Sequence, residues 1–429
     1  MIKASRRLLS SSHNYDTVIV GGGAIGASIA YHLAAKDPKH RIAVVERDLK
    51  YTKASCMLSA GGIRQQFSLK ENITMSCYSA EFLKKCKDVL RTEGGEEDEV
   101  DIQFHQNGYL MLADSDSGRE VLERNNKTQH ECGATWLKVH DQALLTSEFP
   151  WLNTETLTAG VFSSMNEGYF DPWAYVNALK RKSKEMGGEF IEAEVTGGVL
   201  EVGANGSMEM TGLITNTNDG VIHGKTFVNA AGAWSNEFIS KLNATAPKGM
   251  LSLPVEARKR CIFMFHCSDE KGAPPAKTPL TVLPDGVYFR PEGTGGRFIA
   301  GVSPQADMDP HHNSDETLDF VDHNLFEGEI WPSLATYVPA FEGIKVASAW
   351  AGFYEYNALD QNCIMDTHPD VSNLLLCTGF SGHGLQMSPA AGHAMAELIV
   401  EGKFKTMDLD NFGFARIIAH EAYTEANVI

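Results

Sequence analysis

The sequence of 429 residues predicts an α/β protein with two domains. One domain has a parallel sheet and is discontinuous along the chain; the other is an inserted α+β domain with an antiparallel sheet. Three observations support this fold class. Residues 17–45 follow the order strand, glycine turn, helix, strand; residues 251–305 contain several strand-like runs separated by proline and glycine; and residues 373–401 return to strand, glycine loop and helix.

The N-terminal pattern defines the first unit of the fold. Residues 17–20 are a β-branched run that predicts a strand, residues 24–35 predict a helix, and residues 41–45 predict a second strand. A strand, a helix and a strand within about 30 residues form a βαβ unit. Since such a unit places its two strands in parallel, a parallel sheet begins here.

The turn after the first strand contains a GxGxxG pattern through Gly21, Gly23 and Gly26. The first glycine permits the tight turn, the second lets the backbone approach a pyrophosphate, and the third lets the helix pack close to the strand. The first helical residues, Ala24 and Ile25, offer free N–H groups at the positive end of the helix. The pattern predicts a Rossmann-like dinucleotide site.

An acidic residue at the end of the second strand narrows the choice of dinucleotide. Glu46 stands where a carboxylate can accept hydrogen bonds from ribose hydroxyls. The same carboxylate would repel a 2′-phosphate, which disfavours NADP. NAD and FAD both remain compatible with the motif.

The middle of the chain alternates between helical and strand-like segments. Residues 71–91 predict a helix with one apolar face, and residues 171–187 predict another that Asp171 and Pro172 open. Residues 92–101 hold six acidic side chains and predict a solvated linker at a domain boundary. Strands are predicted at 106–113, 189–202, 210–216, 225–230, 260–267, 286–292 and 296–303.

Composition excludes several classes of function. The net charge of −18 disfavours nucleic acid and anionic lipid as partners, because both would be repelled. None of the eight cysteines has CxxC spacing, which favours reduced thiols over disulfides. His311 and His312 stand alone as an adjacent histidine pair, so no metal site is predicted.

The N-terminus resembles a targeting segment. Residues 1–15 contain three basic residues, four serines and no acid before position 16, a composition typical of mitochondrial transit peptides. Residues 17–35 are the longest apolar stretch, but four glycines fall within it, so we interpret it as strand, turn and helix. No transmembrane segment is predicted, and we expect a matrix protein or a peripheral inner-membrane protein.

Three further segments resemble the D-amino-acid oxidase, sarcosine oxidase and glycine oxidase family of FAD-dependent oxidoreductases. They are residues 54–68, 226–235 and 377–389, in the order in which the family has them. Residues 61–73 and 356–386 contain stretches that resemble one mitochondrial branch of this family, which is implicated in the assembly of respiratory complex I. The resemblance implies FAD as the cofactor and complex I assembly intermediates as candidate partners.

The motif and the resemblance together imply a set of cofactor-binding residues. They are Gly21, Gly23, Ala24, Ile25, Gly26, Glu46, Arg47, Ser59, Gly61, Gly62, Val195, Ala231, Gly232, Trp234, Gly379, Gly382, His383, Gly384, Leu385 and Gln386. The glycines at 379, 382 and 384 permit close approach of the backbone to a flat ring. A helix predicted from about residue 387 would aim N–H donors at the negative charge that develops on a reduced flavin.

The chain departs from the family at the substrate-binding positions. Family members that oxidise amino acids clamp the substrate carboxylate with a cation, whereas this chain has Gln386 at the corresponding place on the C-terminal loop. Arg64 and Arg290 are candidate clamps, because a guanidinium can bind a carboxylate with two hydrogen bonds. Tyr288 alternates with Arg290 on a predicted strand, so both side chains should face the same way.

Other departures concern flavin attachment and oxygen reactivity. The family's linking cysteine and histidine align near Phe353 and Leu58, which implies noncovalent FAD. The lysine that oxidase members place by the flavin aligns with Ile299, and an active-site histidine aligns with Ser303. An apolar wall in place of a cation favours a dehydrogenase over an oxidase, and the electron acceptor stays open.

The sequence therefore predicts a Rossmann-like FAD-binding domain at 16–98, 169–236 and 345–429, with a substrate domain at 99–168 and 237–344. The expected reaction is oxidation of the C–N bond of an amino acid or N-methylated amine by hydride transfer to flavin N5. The alternative is a non-catalytic assembly factor in which FAD is structural, an alternative that Gln386 and Ile299 motivate.

Overall fold

A computed structural model describes residues 14–96, 99–203, 206–217, 220–269, 271–304 and 308–427. Residues 1–13 of the expected leader lie outside the described residues. The first strand begins at Asn14, so the last two residues assigned to the leader belong to the folded unit.

The strands are β1 Asn14–Val20, β2 Ile42–Glu46, β3 Gly62–Ile63, β4 Tyr109–Ala113, β5 Lys138–Asp141, β6 Ala159–Ser163, β7 Gly168–Tyr169, β8 Glu189–Glu192, β9 Val195–Val202, β10 Met208–Thr215, β11 Val221–Asn229, β12 Val255–His266, β13 Leu280–Val282, β14 Tyr288–Pro291, β15 Arg297–Gly301, β16 Lys345–Asn357, β17 Ile364–Thr367 and β18 Leu374–Thr378. The α-helices are α1 Ala24–Lys36, α2 Lys70–Val89, α3 Asp116–Glu131, α4 Gln142–Glu148, α5 Pro172–Glu185, α6 Ser235–Asn243, α7 His323–Leu325, α8 Trp331–Tyr337, α9 Gly384–Glu401 and α10 Ala415–Ala419.

The first large sheet has the order β17-β18-β11-β1-β2-β8, and β11 also pairs with β10, which pairs with β9. The strands β18, β11, β1, β2 and β8 are mutually parallel, as the N-terminal βαβ pattern predicts. Successive residues of β1 point to opposite faces: Ile19 packs beneath α1 and α9, whereas Val18 and Val20 pack against β10 and α6. The sheet is therefore covered on both faces, as parallel sheets usually are.

The second large sheet has the order β16-β12-β15-β14-β13-β4-β6-β5 and packs over its own apolar core. All neighbouring strands are antiparallel except β13 and β4, which run parallel. This sheet confirms the α+β antiparallel part of the predicted fold class. Along the described parts of the chain, no helix is long and apolar enough to cross a membrane.

Two local differences from the sequence expectation matter for the site. Strand β16 was assigned with the FAD-binding segment 345–429, but it pairs along most of β12 and lies in the second sheet. The division into domains stays a prediction, and the chain returns from the second sheet to the first after β16. Helix α9 begins at Gly384, about three residues before the predicted start, so its first N–H groups belong to the glycine loop itself.

Candidate functional site

A cavity of about 610 Å³ lies between the carboxyl ends of the parallel strands and one face of the second sheet. Residues that follow β1, β2 and β11 line it, together with the loop at 54–62 and the start of α9. Carboxyl ends of parallel strands meet at one edge of a sheet, which is where such folds bind ligands. The segments that the sequence singled out are therefore brought together at one place.

The glycine turn is built for close packing. Gly21 has φ +98°, and a Cβ there would overlap the carbonyl oxygen of Ala230. A Cβ on Gly26 would overlap the carbonyl oxygen of Gly21, and Gly26 itself does not line the cavity. A Cβ on Gly23, in contrast, would meet only the Cys56 sulfur at 3.8 Å. Gly23 is thus the glycine whose open side faces the cavity, as expected where a pyrophosphate approaches the backbone.

The carboxylate of Glu46 is fixed at the end of β2. Its Oε2 accepts a hydrogen bond from the Gly22 N–H at 2.7 Å, and its Oε1 accepts one from the Asp48 N–H at 3.0 Å. Each oxygen keeps a further lone pair, and the side chain lines the cavity. This geometry fits acceptance of hydrogen bonds from ribose hydroxyls.

The loop at 54–62 forms a wall of the cavity and is held from the second sheet. The Arg290 Nε donates to the Ala60 carbonyl at 2.7 Å, and the Trp350 Nε1 donates to the Leu58 carbonyl at 2.9 Å. Within the loop, Ser59 Oγ donates to the Cys56 carbonyl at 2.8 Å. Burial raises the pKa of the Cys56 thiol to about 11, so this cavity-lining cysteine stays protonated and is a poor nucleophile.

The C-terminal loop and α9 form another wall. Gly379 and Gly382 have φ of +77° and +84°, values that favour glycine. A Cβ on Gly382 would overlap the Tyr354 ring, and one on Gly384 would lie 2.8 Å from Glu355 Oε1. The predicted glycine requirement therefore comes partly from β16. Gly379 does not line the cavity, whereas Gly382, His383 and Gly384 do.

Glu355 is a cavity residue that the sequence reasoning missed. Its Oε2 accepts hydrogen bonds from the Gly379 N–H at 3.0 Å and the Thr378 hydroxyl at 3.2 Å. Burial raises the pKa of this carboxyl to about 7, although those hydrogen bonds act in the opposite direction. The signal available in the sequence was an acid within the otherwise apolar and aromatic run 351–356.

Arg64 lies at the cavity with only 1% of its surface exposed. Its guanidinium donates to the carbonyls of Gln66 and Asn427, each at 2.5 Å, and stacks on the Phe67 ring at 4.0 Å. Its Nη2 lies 3.3 Å from His383 Nε2. Burial, and then the positive charge of Arg64, lower the pKa of His383, so the histidine is neutral beside the arginine.

Gln386 is linked to the same arginine through the backbone. Its Oε1 accepts a hydrogen bond from the Arg64 N–H at 2.9 Å, and the residue lines the cavity. The amide is therefore held through its oxygen. The NH₂ group and one lone pair of the oxygen remain available to a ligand.

The two residues predicted to share a strand face differ in their positions. Tyr288 lines the cavity, and a Cβ on Gly301 of the neighbouring strand would lie 2.5 Å from its hydroxyl oxygen. Arg290 does not line the cavity. Besides Ala60, its guanidinium binds the carbonyl of Pro291 at 2.8 Å and the carboxylate of Glu292 at 2.5 Å. The expectation that Arg290 clamps a substrate is not supported, because the residue lies outside the cavity lining and its charge is paired with Glu292.

The face of the second sheet adds residues that the sequence analysis did not single out. The cavity is also lined by Tyr109, Arg260, Ile262, Leu280, Val302 and Tyr354. Arg260 binds both oxygens of Asp309, at 2.7 and 2.9 Å, and its guanidinium lies 4.5 Å from the centre of the Tyr354 ring. Ile299 is buried and does not reach the cavity, whereas Ser303 does. Strand register alone brings these positions together.

The predicted site residues that line the cavity are Gly21, Gly23, Ala24, Ile25, Glu46, Arg47, Ser59, Gly61, Gly62, Arg64, Val195, Ala231, Gly232, Trp234, Tyr288, Gly382, His383, Gly384, Leu385 and Gln386. Those that do not are Gly26, Gly379 and Arg290. Within the described residues, no group of three or more histidine, cysteine, aspartate or glutamate side chains could hold a metal ion.

Comparison with known proteins shows which family has this architecture. The family model for FAD-dependent oxidoreductases of the DAO type matches residues 16–398. FAD-dependent oxidoreductase domain-containing protein 1 of Xenopus laevis is 43% identical over 434 aligned residues, which cover 96% of this chain and 85% of that protein. Glycine oxidase of Bacillus licheniformis is 24% identical and covers 93% of this chain and 96% of that enzyme.

Among solved structures, L-proline dehydrogenase from P. horikoshii superimposes with a TM-score of 0.79 at 25% sequence identity, covering 96% of this chain and 99% of that one. The glycine turn, the fixed Glu46 carboxylate and the glycine loop at α9 fit the dinucleotide that such proteins bind. The chain belongs to the DAO family of FAD-dependent oxidoreductases, and FAD is its cofactor.

Proposed function

We propose that the protein oxidises the C–N bond of an amino acid or an N-methylated amine, with hydride transfer to flavin N5. One observation carries the proposal: the cavity that holds the dinucleotide segments is continuous with Arg64, Tyr288 and Gln386. The names of the relatives support it, since one acts on glycine and another on L-proline.

Each polar group has a role that its chemistry allows. FAD, when bound, supplies the hydride acceptor. Arg64 places a positive charge in a site from which water is largely excluded, and His383 beside it is neutral, so the arginine can attract a substrate carboxylate. Tyr288 can donate from its hydroxyl, and Gln386 can donate from its NH₂ group. The N-terminus of α9 favours negative charge on the flavin.

We further propose noncovalent FAD and a dehydrogenase rather than an oxidase. Phe353 and Leu58 stand at the family's linker positions and cannot form a bond to flavin, while the Cys56 thiol is protonated. The dehydrogenase proposal rests on the alignment of the family's flavin-side lysine with the uncharged Ile299, although Ile299 itself is buried behind the cavity wall. The electron acceptor would then be another electron carrier. It can be identified by testing which oxidant reoxidises the reduced flavin.

The test is anaerobic reduction of the purified flavoprotein. Glycine, proline, N-methylglycine and N,N-dimethylglycine are mixed with the oxidised protein, and loss of visible flavin absorbance is followed. Matched amines without a carboxylate serve as substrate controls. We expect rapid bleaching by at least one amino acid and slow bleaching by its decarboxylated analogue. A purified protein without flavin absorbance would overturn the proposal.

A second candidate function is assembly of respiratory complex I in mitochondria, with FAD in a structural role. It is supported by the stretches at 61–73 and 356–386, by Gln386 in place of a cation, and by the basic segment at 1–15. Flavin that stays oxidised with every amine of the panel, together with co-purification of complex I subunits with the tagged protein, would favour it. Absence of the tagged protein from mitochondria would exclude it.

A further inference from the structure

A three-residue cluster joins the two sheets at one end of the cavity. Asp315, in the 3-10 helix Asp315–Asp319, accepts a hydrogen bond on Oδ1 from Trp234 Nε1 at 2.7 Å. Its Oδ2 lies 2.7 Å from Arg47 Nη2. The Arg47 guanidinium carbon lies 4.2 Å from the centre of the Trp234 ring. One carboxylate therefore holds a cation stacked on an indole, an arrangement in which each contact supports the other.

The cluster lies at the rim of the cavity, on its dinucleotide side. All three side chains line the cavity, and Arg47 directly follows Glu46, whose carboxylate marks the ribose position. The side chains of Arg47 and Asp315 are 37% and 26% exposed. They line the cavity and are partly exposed to solvent, which places them at its edge.

A second contact joins the same helix to Lys53, the residue just before the loop at 54–62. Lys53 Nζ donates to the Asp315 carbonyl at 3.1 Å. Lys53 also lines the cavity. The segment at 315–319, which comes from the predicted inserted domain, is thus attached through Asp315 to Arg47, Lys53 and Trp234 of the predicted FAD-binding domain.

We propose that Asp315 is a positioning residue for FAD: it holds Arg47 and Trp234 across the rim at the adenosine end and slows release of the cofactor. The inference rests on FAD binding and not on the identity of the substrate. Without the carboxylate, Arg47 loses its counter-charge, and the cation and the indole can swing towards solvent.

The decisive variant is Asp315→Asn. The amide oxygen can still accept a hydrogen bond from Trp234. The NH₂ group would face the Arg47 guanidinium, and because both groups are donors they cannot bond to each other. We expect the rate of FAD release from the holoprotein, measured by flavin fluorescence after dilution, to rise about tenfold, because one charge-assisted hydrogen bond corresponds to about that factor. Asp315→Glu should restore part of the loss, since it keeps the charge.

The matched control is Asp319→Asn, in the same 3-10 helix, where the side chain is 66% exposed and reaches only Lys53 at 3.9 Å. Its FAD release should stay within about twofold of wild type. Thermal melting of the FAD-free proteins should be nearly the same for both variants, which separates retention of FAD from stability of the fold, since in FAD the melting temperature itself depends on affinity.

Trp234→Phe provides an independent test if Asp315→Asn folds poorly, because it removes the N–H and keeps a ring. We expect release about threefold faster than wild type. The proposal is overturned if Asp315→Asn releases FAD at the wild-type rate or more slowly, or if Asp319→Asn accelerates release equally. If Asp315→Asn releases FAD fast but oxidises amines at the wild-type rate in saturating FAD, the role of Asp315 in retaining FAD is supported. That result says nothing about which substrate the protein takes.

Discussion

The two ends of the cavity are constructed in different ways. At the dinucleotide end, backbone atoms and glycines shape the wall, and Gly21 and Gly26 are required by neighbouring carbonyl oxygens. At the sheet end, side chains from separate strands shape it, including Tyr109, Tyr288 and Tyr354. A wall made of backbone leaves a local pattern in the sequence, whereas a wall made of side chains across strands does not.

The contrast is clearest for two arginines that the sequence treated alike. Arg64 reaches the cavity and is held by neutral carbonyls, whereas Arg290 lies behind it and is neutralised by Glu292. One can attract an anionic group, while the other positions the loop at 54–62. Residue type was the same in both cases, and the surroundings decided the role.

The largest effect is expected at the backbone-built end. Gly26→Ala should lower the free energy of unfolding by about 3 kcal/mol, because its Cβ overlaps the Gly21 carbonyl oxygen and the turn must shift. Gly23→Ala should leave the stability of the FAD-free protein nearly unchanged but weaken FAD binding by about tenfold, since its Cβ would project into the space that the ligand occupies. Urea unfolding measures the stability, and flavin titration measures the affinity for FAD. Equal behaviour of the two variants would contradict the separate roles of these glycines.

A smaller effect is expected at the side-chain-built end. Arg64→Met should lower kcat/KM for an amino acid by about 10- to 100-fold, because a charge-assisted hydrogen bond to the carboxylate is lost. The same variant should change kcat/KM for the matching amine without a carboxylate much less. Arg290→Met is the control: it should lower flavin content through the Ala60 contact and keep the preference for the carboxylate. If both variants lose that preference to the same degree, Arg64 is not the clamp.

A third effect, on stability, depends on pH and is expected at Glu355. The pKa of Glu355 is raised from 4.5 to about 7 by burial, so the folded state binds this proton more tightly than the unfolded state does. Stability from the protonated form is present below about pH 4.5 and is lost as pH rises through about 7. Glu355→Gln should therefore gain stability relative to wild type as pH rises, by about 2 kcal/mol near pH 8.

Urea unfolding of the FAD-free proteins at about pH 5 and about pH 8 measures this difference. Thr378→Val removes a hydrogen bond that favours the charged form of the same carboxyl, so its cost in stability should be larger at about pH 8 than at about pH 5. If the difference in free energy of unfolding between Glu355→Gln and wild type is the same at both pH values, the pKa of Glu355 is not raised in the folded state.

Several features were predictable because their cause is local. The GxGxxG turn, Glu46 at the end of β2 and the Asp171 cap of α5, which accepts from the Trp173 and Ala174 N–H groups, each follow from a few neighbouring residues. Their positions in the structure agree with the pattern to within a few residues. The start of α9 at Gly384 was missed, because a glycine is a poor helix former and only the surrounding loop makes it the first helical residue.

The remaining features depend on strand pairing between distant segments. Tyr288 and Gly301 face each other because β14 and β15 are paired in one register, and a shift by one residue would turn either side chain to the other face. Asp315 meets Trp234 across 81 positions of sequence. Such distances are set by how two sheets pack and not by any short pattern.

The sequence by itself determined the parallel βαβ unit, the dinucleotide turn and the family, since each is encoded by residues close together along the chain. Only the tertiary structure decided that Arg64 and not Arg290 reaches the cavity, that Glu355 lies against the glycine loop, and that β16 belongs to the second sheet. The physical reason is that burial, charge compensation and hydrogen bonding depend on neighbours in space.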